Sequence, residues 1–228
     1  MLDRIRERID PIVRLVPDAY FFVTRGYQST RSAVAGAELP RWEDRQALVF
    51  WRGTATFNPN PTTLKEPSQI PRIALCLRLK RFSRADVGIR AWEIGFPEPA
   101  VVEHFIEANS ISGTRVPMLE HANYKFQIDI DGVANAWGFF DKLLMGSCIL
   151  KVQSAYEQWF YADLRAWEHY VPIKADLSDL ETQVDWCFEH DADAKAIGQR
   201  GQEFALDHTY ERGVAIGREA IAASFINL

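Results

Sequence analysis

Asp129-Ile130-Asp131-Gly132 closes an alternating apolar run and leads through Val133-Ala134-Asn135-Ala136-Trp137-Gly138 into a helical pattern. Tyr124, Phe126, Ile128 and Ile130 recur at period two, as a strand requires. Phe139, Phe140, Leu143 and Leu144 recur at helical spacing. Gly132 permits a tight turn, and the small side chains after it let a ligand approach the backbone. Such a strand–turn–helix aims free backbone N–H groups and the positive helix end at whatever lies beyond the strand, usually a phosphate. The two carboxylates offer a second chemistry. Residues two apart on a strand share a face, so Asp129 and Asp131 could hold a divalent cation. A structural role competes with that reading, in which Asp131 accepts turn N–H groups.

Other chemistries find little support. His104, His121, His169, His190 and His208 are scattered, with no pair at metal-ligand spacing. No serine sits in a nucleophile elbow, and no Gly-rich P-loop is present. The formal charge of −5 argues against a surface that coats nucleic acid. Cys76, Cys148 and Cys187 stand in apolar runs and read as buried thiols of a reducing compartment. No apolar run approaches membrane-spanning length, and the charged start MLDRIRERID is no secretory signal. The expected setting is cytoplasmic, at most peripheral to an inner membrane.

The elements that must position these residues follow from pattern. Residues 2–16 form roughly one helical face interrupted by Pro11, a helix that docks on the main core or binds a partner. Tyr20 to Val23 reads as a short strand, and Ala47 to Trp51 as a buried one ending at Arg52-Gly53-Thr54. Pro59, Pro61 and Pro67 keep the next stretch out of helix, and Pro71 fits the first position of a helix from Arg72 to Lys80. Val87 to Trp92 is an expected strand and Pro99 to Ala108 a helix. Cys148 to Val152 lacks polar alternation apart from Lys151, as a strand covered on both faces should. Tyr170 to Ile173 is another strand. Ser178 with Glu181 reads as a capping box opening a helix to about Asp191, and helices over about 192–207 and 210–225 complete the chain. Strands alternating with helices imply a mainly parallel, doubly wound α/β sheet.

The ordered succession VFWRGT (49–54), PRIALC (71–76), YKFQIDIDGVANAWGFFDKLLMGSCILKV (124–152), EQWFY (157–161) and Trp167 to Leu180 resembles glycosyltransferase family 90. This is the CAP10 or lipopolysaccharide-modifying family, which includes the protein O-glucosyltransferases. The resemblance runs from about Val16 to Phe225. It implies a GT-B-like, Rossmann-type nucleotide-sugar domain over 47–228, with residues 1–46 as a residual segment of a reduced N-terminal half. It also implies sugar transfer from a UDP-sugar, as co-substrate and without a bound metal or other cofactor, to a polysaccharide, lipopolysaccharide or other cell-surface acceptor.

Carried over residue by residue, the resemblance places donor contacts at Arg52, Thr54, Arg72, Val133, Ala134, Asn135, Ala136, Trp137, Gly138 and Glu157. Thr54 follows the Arg-Gly pair, where the family has a hydroxyl on the nucleotide sugar. Arg52 either contacts the donor or pairs with Glu43 or Asp44. Arg72 either resembles the arginine that grips the diphosphate, since a planar fork suits two phosphate oxygens, or is an exposed helix-surface arginine. Gly138 departs from the eukaryotic members, which have arginine there; either Lys142 or Arg25 supplies the charge, or donor affinity is low. Asn135 bonds the sugar or caps the helix, and Trp137 could stack on uracil or sugar. Glu157 receives ribose hydroxyls or is a solvated residue ahead of an EQWFY helix. His121 lines the cleft or is a satisfied loop histidine. No residue matches the family's base; Asp18, Asp44 and Asp131 are the acidic candidates, with Asp131 the weak choice. The short N-terminal half raises two alternatives, a non-catalytic nucleotide-sugar-binding module or a partner protein supplying the missing half. A metal-dependent GT-A-like enzyme using Asp129 and Asp131 is a third.

Overall fold

Five strands form one sheet in a computed structural model that describes residues 14–56, 66–91 and 99–226. The strands are β1 (Gln46–Thr54), β2 (Ala85–Ala91), β3 (Tyr124–Asp129), β4 (Cys148–Val152) and β5 (Val171–Ile173). They lie in the order β2-β1-β3-β4-β5, and every pairing is parallel. The chain therefore leaves β1 in one direction to build β2, then returns to place β3 on β1's other side. That reversal opens a crevice beyond the carboxyl ends of β1 and β3, where open α/β sheets bind ligands.

Side-chain parity divides the core in two. Phe126, Ile128, Cys148, Leu150, Val171 and Ile173 join one buried cluster, with α3 (Pro71–Leu79), α4 (Pro99–Ala108) and α6 (Leu180–Glu189). Ile149 faces the other way, into a cluster with α1 (Ala19–Val23), α5 (Phe139–Leu144) and α7 (Asp191–Asp207). The helices α2 (Gln28–Ala35) and α8 (Tyr210–Ile226) flank this second side. A sheet buried on both faces explains the near-continuous apolar runs of β4 and β1. It also sends the odd-numbered Asp129 and Lys151 toward α5.

Pro71 does open α3 at its first turn, where a missing N–H costs nothing. Between α5 and β4 the chain reverses at Gly146 with φ +70, a conformation that favours glycine. Several expected elements differ. Tyr20 to Val23 is helix rather than strand, because Asp18 Oδ1 accepts from Phe21 N at 2.8 Å and nucleates a turn. No capping box forms at Ser178: Asp179 is the cap of α6, and its carboxylate accepts from Lys174 N instead. The EQWFY stretch is turns running into a single 3-10 turn at Tyr161–Asp163, its rings spent on the aromatic cluster around Phe160. The expected helix over 2–16 falls outside the described residues up to residue 13, and residues 14–16 are not helical. The loop holding Pro59 and Pro61 also lies outside them. No helix among the described residues is long and apolar enough to cross a membrane.

Candidate functional site

At the carboxyl ends of β1 and β3 the chain holds its turns open with one arginine. Arg72, on the first turn of α3, donates from Nε to Asp131 O at 3.0 Å and from Nη2 to Ile130 O at 2.9 Å. Its Nη1 donates to Thr54 O at 3.2 Å and Thr56 Oγ1 at 2.8 Å. Burial pulls its pKa down from the usual value, and Asp129 and Asp131 oppose that. The fork thus bridges both lips of the crevice through main-chain carbonyls. Gly132 is where the guanidinium fits: a Cβ there would stand 2.5 Å from Thr56 Oγ1 and 2.9 Å from Arg72 Cζ.

Asp131 organises the turn that follows. One carboxylate oxygen accepts from Ala136 N at 3.2 Å, and the other accepts from Ser154 Oγ beyond β4. Ser154 Oγ also accepts from Tyr156 N at 2.9 Å, and Tyr156 Oη donates to Val133 O at 2.8 Å. The 132–138 turn is thereby tied at both ends, with Val133 and Trp137 exposed on its outside. Trp137 stacks on Tyr20 of α1, ring centroids 5.7 Å apart and planes at 26°. Gly138, not Asn135, is the cap of α5.

Beneath this turn lies a cluster that the sequence reading missed. Asp129 is fully buried, and Lys142 Nζ and Lys151 Nζ donate to its two oxygens at 2.9 and 3.1 Å. Lys142 Nζ also donates to Ile128 O at 2.8 Å, and Lys151 Nζ to Tyr161 Oη at 3.2 Å. Burial alone would push the Asp129 carboxyl up, but the two ammoniums override it and hold it below the usual range. Burial lifts the Tyr161 hydroxyl to about 12, so it stays protonated. The signal in the sequence was Lys151, a lone charge in an apolar strand, which pairs in register with Asp129. With an ammonium on each oxygen, Asp129 does not fit the divalent cation considered from its spacing with Asp131.

Lys151 also borders a cavity of about 360 Å³ at the ends of β4 and β5, shared with Ser154, Glu157, Tyr161, Trp167 and Lys174. The structure thus brings Thr54, Arg72 and residues 131–138 to one crevice and Glu157 to its neighbouring cavity. Arg52 goes elsewhere. It pairs with Asp86 of β2 rather than Glu43 or Asp44, and donates from Nη1 to Asp86 O at 2.9 Å. Glu43 and Asp44 instead pair with Lys195 and Arg41. Asp18 is spent on its cap. His121 is a buried histidine against Phe50, and burial pushes its pKa down to about 4. Arg25 borders a separate hollow with Arg31, Tyr210 and Glu211.

A family model described as Glycosyl transferase family 90 matches residues 23–214. Protein O-glucosyltransferase 3 of Rattus norvegicus is 45% identical over 184 residues, covering 80% of this chain and 32% of that protein. The uncharacterized protein 027R of Frog virus 3 is 32% identical over 184 residues, covering 74% of this chain and 19% of its own. The chain therefore spans a third or less of the length of these relatives. Among solved structures, Anabaena Alr3699/HepE in complex with UDP-glucose aligns with a TM-score of 0.53 at 12% identity, covering 89% of this chain and 53% of that one. A glycosyltransferase from Rickettsia africae ESF-5 gives 0.50 at 11% identity, over 92% and 56%. These structural likenesses fix the fold as the Rossmann-type, GT-B kind expected from the sequence.

Proposed function

The chain belongs to glycosyl transferase family 90, and on that premise we propose that it binds a UDP-sugar beyond the carboxyl ends of β1, β3 and β4 and takes part in transferring the sugar to a hydroxyl acceptor. The observation that carries this reading is the 132–138 turn, pinned by Asp131, Ser154 and Tyr156 over the crevice and flanked by a cavity of about 360 Å³. In this reading the diphosphate lies over the turn and the nucleoside enters the cavity beside Glu157 and Tyr161. Arg72 shapes the crevice by fixing the carbonyls of both lips, rather than gripping phosphate with a free fork.

The transfer needs no metal in this proposal, because Lys142 and Lys151 occupy the two oxygens of Asp129 that a divalent cation would need. Asp131 serves the loop rather than acting as the acceptor's base, since both its oxygens are engaged. Glucose is the favoured sugar, following the names of the O-glucosyltransferase relatives. Those names favour a protein hydroxyl as acceptor, beside the polysaccharide or lipopolysaccharide expected from the sequence. Three free, buried cysteines suit a reducing compartment such as the cytoplasm.

Release of UDP from UDP-glucose, assayed with and without EDTA, tests the reading. Turnover indifferent to EDTA is the expected result. Binding without turnover would make the chain a nucleotide-sugar-binding module, and loss of turnover on chelation would overturn metal independence.

A further inference from the structure

We propose that the indole of Trp167 is the platform on which the ligand's base stacks, so that this residue selects the nucleoside end of the donor. The inference rests on the donor reading above and deepens it by assigning what the cavity recognises.

Trp167 borders the cavity together with Tyr156, Tyr161, Tyr170 and Pro172, and 45% of it is exposed. Its backbone is left-handed, with φ +65, a conformation that bulky side chains rarely adopt. The bonds around it hold it there. Trp167 N donates to Tyr170 O at 2.7 Å, and His169 N donates to Arg165 O at 2.9 Å. Arg165 N donates to His169 Nδ1 at 3.0 Å, and from α7 Arg200 Nε donates to Glu168 O at 3.0 Å. The indole meets Trp186 of α6 edge to face, centroids 4.8 Å apart and planes at 75°. Glycine or asparagine would adopt this backbone with less strain, and a tryptophan left nearly half in solvent adds little to a core. A strained residue that its surroundings over-determine, set at a cavity, is one kept for a ligand.

The rest of the lining indicates which part of the ligand. Lys151 and Lys174 are matched by Glu157 and Asp179, so the cavity offers no cationic surplus to a phosphate. Its apolar walls are rich in tyrosine, and the side-chain amides of Gln153 and Gln183 have no hydrogen-bond partner among the described residues. An amide presents a donor and an acceptor side by side, which matches the N–H and C=O along the edge of a uracil ring. A rigid aromatic face with open amides beside it suits a planar base.

Titration calorimetry with UDP, uridine and pyrophosphate tests the assignment. Trp167→Ala should weaken UDP and uridine alike, on the order of tenfold, the scale of one base–aromatic stack, and leave pyrophosphate as in the wild type. Trp167→Tyr, which keeps an aromatic face, should recover most of the loss. If circular dichroism shows Trp167→Ala unfolded, Trp167→Asn, whose side chain accepts a left-handed backbone, takes its place. Uridine affinity unchanged in Trp167→Ala overturns the inference alone, and so does an equal loss for pyrophosphate, which a merely structural role would give. A wild-type protein that binds neither UDP nor uridine overturns the donor reading and the inference together.

Discussion

Replacing Arg72 with methionine removes a side chain that joins both lips of the crevice. The loss comprises hydrogen bonds to Asp131 O, Ile130 O, Thr54 O and Thr56 Oγ1, at 2.8 to 3.2 Å. At about 1 kcal/mol net for each, four bonds amount to roughly 4 kcal/mol. Water entering from the open side of the crevice satisfies part of the carbonyls again, leaving an expected destabilisation of about 2–3 kcal/mol. In a chain of this size each kcal/mol lowers Tm by roughly 2–4 °C, so a fall of about 4–12 °C is expected. Urea unfolding gives the free energy, and calorimetry with UDP gives the functional half. UDP affinity should fall with stability, because the turn loses its anchor. Arg72→Lys should recover under half of the loss, since one ammonium cannot reach both lips. A destabilisation below about 1 kcal/mol with UDP affinity intact would refute the reasoning.

Two further substitutions probe the same region. Gly132→Ala puts a methyl against Thr56 Oγ1 and Arg72 Cζ, contacts that neither neighbour can relieve without breaking Arg72's bonds. A destabilisation of about 1–3 kcal/mol in urea melts is expected, with weaker UDP binding. Asp141 is a case of pH-dependent strain: burial, the largest effect on it, lifts its carboxyl from 3.8 to about 6. A folded-state value above the unfolded one means the ionised form burdens the native state above pH 6, and the burden fades as pH falls toward 4. Asp141→Asn should therefore gain stability at pH 7.5, up to about 3 kcal/mol for a shift of this size, and gain nothing at pH 4. Urea melts at the two pH values measure the difference, and an equal gain at both would contradict the assignment.

The strands of this fold were legible because burial on both faces writes itself as unbroken apolar runs, as in Cys148 to Leu150. What misled the reading was local competition. Tyr20 to Val23 is rich in strand-forming aromatics, yet a single carboxylate at Asp18 outweighs that preference. At residues 178–179 two capping residues are adjacent, and sequence cannot say which will turn toward the helix. Arg72 stood out at the start of its helix, but three of its four partners are carbonyls, which leave no trace in residue type. Asp129 drew attention through its spacing to Asp131, whereas its true partners lie 13 and 22 residues away. Only the strand register brings Lys151 alongside it.

The stacking of Tyr20 on Trp137 has a mechanical consequence. Tyr20 belongs to a short helix whose neighbour Phe21 packs on Tyr210, and whose connection continues to Arg31, which donates to Ala205 O, Leu206 O and His208 O. The outer side of the 132–138 turn is thereby braced by two sequence-remote segments, residues 20–31 and 205–210. A tug or truncation near residue 20 or residue 210 would travel through these rings to the turn, so a tag, fusion or docking event at either end stands to alter ligand grip without approaching the crevice.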